Sequence, residues 1–242
     1  GINISELTVL TKDILLLIMY IVLAVIIYFF YKEKINYDLK RFKRRMFSNI
    51  LLTIVFFIGV AFIVSASEHL SSVLASSFKV SYEDIKHINI FNINVNLNLV
   101  IFVIKNIILI PIIKTVIIVL GSNDLFSGKK TILLASGLIG SAFHFLNIDG
   151  SFLFIVFNTF PFFTLYVSLA YIYQKNNKNI SFSVMTYILY NLLVGLILDM
   201  ILLKQCNIPE LMKIVADTVA GKTSFDNKNI IYKQASYFKF SC

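Results

Sequence analysis

The sequence has few charged residues for its length. Asp, Glu, Lys and Arg together make up 14% of the 242 residues, whereas 58% of the residues are hydrophobic. A water-soluble domain cannot bury so much apolar surface, and ordinary globular chains carry about 25% charged residues. The low charge therefore excludes a soluble catalytic domain and indicates an integral membrane protein.

Cysteine and histidine are also scarce. The chain has only Cys206 and Cys242, so neither a disulfide framework nor a multi-cysteine metal centre is predicted. The histidines are His69, His87 and His144, and no glutamate lies in the long apolar segments. Because a zinc centre needs three or four Cys, His or carboxylate ligands, we predict no metal site and no cofactor.

Basic residues outnumber acidic residues by 22 to 13, which gives a formal net charge of +9. In a soluble chain this balance would suggest a nucleic-acid partner. Here the charges lie between long apolar blocks, so the predicted partner is the lipid bilayer and not nucleic acid. The abundance of Ile, Asn, Lys and Phe is typical of an A+T-rich genome, and we expect a bacterial cytoplasmic membrane.

Six apolar blocks approach or exceed the length of a membrane span. A spanning helix needs about 20 apolar residues, since the hydrocarbon core is about 30 Å thick and each residue rises about 1.5 Å. The blocks are Ile14–Tyr31, Asn49–Ala66, Leu97–Leu120, Thr131–Leu146, Ser151–Tyr173 and Ile180–Leu203. The fourth is short and is followed by turn residues at 147–150, which predicts an antiparallel hairpin. The fold predicted is all-α, a polytopic transmembrane helix bundle with about six spanning helices.

The pattern divides the chain into three regions. We predict two N-terminal transmembrane helices with an external loop at 1–96, a four-helix transmembrane core at 97–204, and an amphipathic helix with a polar tail at 205–242. The external loop is expected to begin at Ser67, because the chain becomes polar there. Asparagines alternate with apolar residues at 88–99, as in an extended or interfacial segment.

Orientation follows from the positions of Lys and Arg in short loops, because basic residues resist translocation. The segment Lys32–Arg45 contains seven basic residues and is predicted to be a loop. Two later loops of the same parity contain Lys129, Lys130, Lys175 and Lys178. These three loops are predicted to be cytoplasmic and both termini external, although the lysine-rich tail after Lys204 counts against this topology.

Polar side chains inside the apolar blocks are candidate functional residues, because a charge at membrane depth costs about 3 kcal/mol. Lys105 and Asp199 lie near block ends and are expected to reach the interface. Lys114 lies deeper, so it needs a cavity or a carboxylate partner such as Asp199. His144 alone is expected to be a hydrogen-bonded packing residue. The remaining candidates are Asn158, Tyr187 and Asn191.

Four short segments between about Ile110 and Gly195 follow an order that resembles a known family. The segments are Pro111–Val119, Ser136–Phe145, Ser168–Tyr173 and Tyr187–Asn191. They are similar to the motifs EExxxR, FxxxH, GxxxGxxY and HxxxN of the CPBP family, the intramembrane CAAX-protease and bacteriocin-processing group also called Abi. The resemblance covers roughly the last four spans and depends on helix order and spacing more than on identities.

The departures from these motifs affect the catalytic residues. The motif glutamates correspond to Lys114 and Thr115, the arginine to Val119, the phenylalanine to Gly140 and the last histidine to Tyr187. Of the polar set, His144 and Asn191 remain. The resemblance implies that a glutamate and two histidines activate water while an asparagine holds the oxyanion. A lysine does not supply that base, so the resemblance implies a pseudoenzyme.

Three functions remain open from the sequence. The favoured one is a non-proteolytic CPBP-like protein that binds a membrane protein or hydrophobic peptide in a scaffold, regulatory or immunity role. Its groove would be lined by Gly137, Gly140, Ser141, Ser168 and Asn191. The second is an active intramembrane protease with displaced residues, such as His144 with Asp199 or Glu68. The third is a permease or transporter subunit with Lys114 and Asp199 as an ion pair.

Overall fold

A computed structural model of the chain describes residues 4–80, 101, 103–145 and 151–198. The chain divides into two units, Gly1–Gly195 and Leu196–Cys242. Three predicted features lie outside the described residues: the asparagine-rich segment at 88–99, the turn at 147–150 and the C-terminal tail. Helix is the only regular secondary structure in the described part, which confirms the all-α prediction.

The first two helices are longer than the apolar blocks that predicted them. Helix α1 is Ile4–Arg44 and helix α2 is Met46–Ser77, with Arg45 alone between them at φ −130 and ψ 50. The prediction that Lys32–Arg45 forms a loop was therefore wrong. This stretch continues α1 because it contains neither Gly nor Pro and is rich in Lys and Arg, which are good helix formers.

Helix α2 also extends beyond its predicted end. The external loop expected from Ser67 was wrong in this part, because the helix continues to Ser77. The hydroxyls of Ser67, Ser76 and Ser77 bond to carbonyls of their own helix. For example, Ser67 donates to the carbonyl of Val64 at 2.7 Å and Ser76 to that of Val73 at 2.8 Å. Polar side chains that bond to their own helix backbone do not end it.

Helix α3, Val103–Leu125, combines two kinds of helical turn. Its π-helical stretches are Val103–Leu109 and Val116–Leu120, and they flank the α-helical stretch Ile110–Thr115. Pro111 lies in the first turn of that central stretch, where its missing N–H interrupts the backbone ladder. Helix α4, Lys129–Phe145, follows and has 17 residues.

The last two described helices begin close to where the apolar blocks predicted. Helix α5 is Phe152–Lys175, and the hydroxyl of Ser151 caps it by accepting from the N–H of Phe154 at 3.3 Å. Helix α6 is Ile180–Tyr190 and continues as a π-helical stretch, Asn191–Leu198. Its N-cap is Asn179, whose side-chain oxygen accepts from the N–H of Ser181 at 3.0 Å.

Helix length and composition identify a multi-pass membrane protein. Four segments are long and apolar enough to span: Ile14–Arg44, Met46–Ser77, Val103–Leu125 and Phe152–Lys175. A shorter apolar helical segment follows at Ile180–Val194, so the predicted count of about six is roughly consistent with the structure. In the most apolar 18-residue stretch of α1, only 6% of the residues are buried by the chain. The corresponding share is 44% for α3 and 39% for α5. The core is therefore centred on α3, α5 and α6, while many apolar side chains of α1 and α2 are exposed.

Candidate functional site

Two glycines bring α4 and α5 into close contact. A Cβ atom added at Gly137 would lie 2.6 Å from side-chain atoms of Phe163 and Val167, and one added at Gly140 would overlap the ring of Tyr166. Small residues allow helices to approach in this way inside a membrane. Gly137 and Gly140 therefore serve helix packing within the chain, whereas the sequence predicted that they line a groove for a partner.

This close approach places His144, in the last turn of α4, against α3 and α5. The Nε2 atom of His144 lies 3.4 Å from Nζ of Lys114. A lysine ammonium can only donate, so Nε2 accepts this hydrogen bond when Lys114 is charged, and the ring proton is then on Nδ1. Sequence analysis singled out both residues, but it offered Asp199 rather than His144 as the partner of Lys114.

The imidazole of His144 is held between aromatic rings of α5. It stacks on Phe162 with ring centroids 3.4 Å apart and planes inclined by 6°, and it lies 6.3 Å from the ring of Tyr166. Phe162 and Tyr166 are one helical turn apart and so share a face of α5. Stacking fixes the orientation of the imidazole, so that its Nε2 atom points toward Lys114.

Tyr166 continues the row of contacts to α6. Its hydroxyl lies 3.4 Å from that of Tyr187, and the two rings meet edge to face with centroids 6.0 Å apart. We call Lys114, His144, Tyr166 and Tyr187 the polar row. It runs from α3 through α4 and α5 to α6. Sequence analysis missed Tyr166, because a tyrosine in an apolar helix gives no signal beyond its spacing from Phe162.

Two further motif positions lie on α3 and α6 but bond differently. The amide of Asn191 donates to the carbonyl of Asn106 at 3.0 Å, which links α6 to the first π-helical stretch of α3. This is the interhelical use that the sequence predicted. Thr115 is fully buried, and its hydroxyl has no hydrogen-bond partner among the described residues.

The other intramembrane candidates are Asn158, Lys105 and Asp199. The amide of Asn158 donates to the carbonyl of Phe154 in its own helix at 2.8 Å. Lys105 lies near the start of α3 and is partly buried. Asp199 lies outside the described residues, so the predicted pairs of Asp199 with Lys114 and with His144 stay predictions.

The side chains of the polar row offer hydrogen-bonding groups and aromatic rings. The row contains an ammonium group, an imidazole and two phenols, and no carboxylate. Within the part of the chain that the structure describes, no group of three His, Cys, Asp or Glu residues could hold a metal ion. Such a row can bind and orient a hydrogen-bonding group, and none of its four described side chains is a carboxylate that could activate water.

A second polar cluster lies where the Lys- and Arg-rich part of α1 meets the turn between α5 and α6. Asp38 on α1 is fully buried, and its carboxylate lies 3.0 Å from Nζ of Lys34 and 3.9 Å from a guanidinium nitrogen of Arg41. The same carboxylate accepts from the N–H of Ile180 at 3.0 Å, at the start of α6. We call Lys34, Asp38 and Arg41 the basic-end clamp. The sequence signal for it was the spacing of a carboxylate four residues after one base and three before another.

The basic-end clamp holds the turn between α5 and α6. Lys34 donates to the carbonyl of Lys178 at 2.6 Å, and Arg41 donates to that of Asn177 at 3.2 Å. Nearby, the hydroxyl of Tyr31 donates to Asp124 at 3.1 Å, at the end of α3. The structure therefore brings the basic part of α1 close to the end of α3 and to the turn between α5 and α6. The sequence assigned the basic residues of these three regions to the same side of the membrane.

No family model, curated protein or solved structure matches the chain. The resemblance of residues 110–195 to the CPBP family therefore stays a prediction from the motif order, and the contacts of the polar row and the basic-end clamp are interpreted by their own chemistry.

Proposed function

We propose that this protein is a non-proteolytic, CPBP-like membrane protein of a bacterial cytoplasmic membrane that binds a membrane protein or hydrophobic peptide without cleaving it. One observation carries the proposal. Nζ of Lys114 lies 3.4 Å from Nε2 of His144, at the position where the resemblance expects a glutamate beside the histidine. The bacterial membrane is inferred from the composition alone.

The contact between Lys114 and His144 opposes hydrolysis for a simple reason. A general base needs an available lone pair near the working pH. When Lys114 is charged, its ammonium donates to Nε2 and occupies the imidazole lone pair that would otherwise accept a proton from water. At the position of the second histidine, Tyr187 offers a phenol whose hydroxyl already lies 3.4 Å from that of Tyr166.

The exposure of α1 supports a partner in the membrane. Its side chains Phe29 and Phe30 are 73% and 81% exposed, and only 6% of the residues in its most apolar 18-residue stretch are buried. Helices associate in membranes through packing and interhelical hydrogen bonds, and a helix that its own chain leaves uncovered has a face for a second protein. We therefore place the partner against α1, in a scaffold, regulatory or immunity role.

Photo-crosslinking from single positions tests this proposal. The full-length protein would carry a photoreactive phenylalanine analogue at Phe30 of α1, or at Phe152 of α5, which is 74% exposed and serves as the matched control. We expect one protein to crosslink in stoichiometric yield from Phe30 and not from Phe152. If both positions crosslink only to lipid, the proposed protein partner at α1 is contradicted.

A cleavage assay tests the absence of proteolysis separately. The purified protein and its His144→Ala variant would be incubated in liposomes with a panel of transmembrane peptides. We expect no cleavage by either protein. Cleavage by the natural chain that disappears in His144→Ala would overturn the proposal and favour the protease with displaced residues.

A further inference from the structure

A groove between α2, α4 and α5 offers space for a ligand that neither the polar row nor the basic-end clamp uses. Its volume is about 370 Å³. A Cβ atom added at Gly59, on the α2 wall, would meet no other atom within 4 Å. The residues that matter here are Phe56, Gly59, Leu133, Phe163, Tyr171 and Ile172.

Two polar side chains that line this groove, Thr164 and Ser168, are hydrogen-bonded within the protein. The hydroxyl of Thr164 lies 2.8 Å from the carbonyl of Pro161 and 2.9 Å from the hydroxyl of Ser67. The hydroxyl of Ser168 donates to the carbonyl of Thr164 at 2.8 Å. The groove therefore presents an apolar surface, so the part of a ligand that lies in it must be hydrocarbon.

The length of the groove fits one leaflet of a membrane. On α5 its lining extends from Phe163 to Ile172, which is about 14 Å along the helix. One leaflet of the hydrocarbon core is about 15 Å thick, half of a core of about 30 Å. An acyl chain of one membrane lipid would therefore follow the groove along its whole length.

Two lysines lie just beyond the basic end of the groove. Lys129 begins α4 one turn before Leu133, and Lys175 ends α5 one turn after Tyr171. Residues four apart share a helix face, so both lysines lie on the faces that line the groove. Each is about 6 Å along its helix from the groove, and both are exposed.

We propose that the groove and the two lysines bind one anionic phospholipid, with an acyl chain between α2, α4 and α5 and the phosphate near Lys129 and Lys175. Charge complementarity selects the headgroup, since each lysine at a membrane surface raises the affinity for anionic lipid on the order of fivefold. The site is independent of the proposed partner, because α1 does not line the groove.

Lipid retention by the full-length protein in detergent tests the headgroup site. The protein would be incubated with phosphatidylglycerol or with phosphatidylcholine, and bound lipid would be counted by native mass spectrometry. We expect one phosphatidylglycerol, retained about 25-fold better than phosphatidylcholine, since each of the two lysines contributes about fivefold. The double variant Lys129→Gln, Lys175→Gln should lose most of this preference. Its matched control is Lys40→Gln, Lys43→Gln on α1, which removes the same charge and should retain the lipid.

A second pair of variants tests the groove itself. Gly59→Phe places a ring in the groove and should abolish retention of phosphatidylglycerol. Gly121→Phe is the matched control, because a Cβ atom at Gly121 also meets open space but lies on α3, outside the groove. If Gly59→Phe does not fold, the two lysine variants still decide the proposal.

Several results would overturn this proposal. They are equal retention of the two lipids, equal losses in the Lys129, Lys175 and Lys40, Lys43 variants, and full retention in a folded Gly59→Phe. A natural chain that is dimeric and becomes monomeric in Gly59→Phe would also overturn it, because the groove would then be covered by a second copy of the chain.

Discussion

The polar row and the basic-end clamp each contain a partly buried lysine, but the two lysines have different hydrogen-bond partners. In the basic-end clamp, Lys34 meets the carboxylate of Asp38 at 3.0 Å, and that carboxylate also bonds to the N–H of Ile180. In the polar row, Lys114 meets the neutral acceptor of an imidazole at 3.4 Å.

The difference between these regions shows which of them stabilises the fold. A buried carboxylate with two cations and a backbone donor satisfies several groups at once, so its loss removes the partner of the backbone N–H and the negative charge beside both cations. Among the described residues, Lys114 has one long bond to an imidazole, and a charged lysine at membrane depth has a large desolvation cost. The basic-end clamp is therefore structural, while the polar row retains a costly charge that packing alone does not explain.

The largest effect is expected from the substitution Asp38→Ala in the basic-end clamp. It leaves the buried N–H of Ile180 without its acceptor and removes the anionic partner of Lys34 and Arg41, which should lower the free energy of unfolding by about 3 kcal/mol. Denaturant titration in detergent micelles would measure this. Glu33→Ala is the control, because Glu33 is exposed on the same helix. Equal stability of the two variants would show that the basic-end clamp does not hold the fold.

A smaller effect is expected where α4 and α5 approach each other at Tyr166 of the polar row. In Gly140→Ala the new methyl group overlaps the ring of Tyr166, so one of the helices must move, at a cost of about 2 kcal/mol in unfolding free energy. Gly121→Ala, where a Cβ atom meets open space, should instead be neutral or gain up to about 1 kcal/mol. Thermal unfolding of both variants distinguishes these outcomes. A Gly140→Ala variant as stable as Gly121→Ala would contradict the close packing.

The smallest effect is expected within the polar row. A double-mutant cycle of Lys114→Met and His144→Phe should give a coupling free energy of about 1 kcal/mol or less, because the bond is long. Lys114→Met alone should leave stability unchanged or raise it, since it removes a charge from membrane depth. Denaturant titrations of the four proteins measure the coupling. A coupling of about 3 kcal/mol would make the polar row a structural element like the basic-end clamp.

The sequence predicted the ends of some helices and misassigned others for a physical reason. Ser151 and Asn179 carry capping side chains next to apolar blocks, so the starts of α5 and α6 were readable locally. At Lys32–Arg45 and after Ser67, polarity was read as the end of a helix. Polarity marks where a helix leaves hydrocarbon, but charged and polar residues such as Lys, Arg and Ser do not by themselves end the helix.

The candidate site was only partly readable from the sequence. Lys114 and His144 stood out because polar residues are rare in apolar blocks. Tyr166 and Phe162 did not stand out, because aromatic residues are common there. Asp38 was hidden among basic residues, and its contact with Ile180 joins residues 142 positions apart.

What the sequence determined by itself is the membrane as solvent and the all-helical class of the fold. Transfer of side chains into hydrocarbon depends on each residue and sums along a segment, so apolar blocks of sufficient length specify membrane helices without reference to the rest of the chain. The tertiary structure alone decided that Lys114 meets His144 and that Asp38 holds the start of α6. These contacts depend on which helix faces meet, and close approach at Gly137 and Gly140 sets that for α4 and α5.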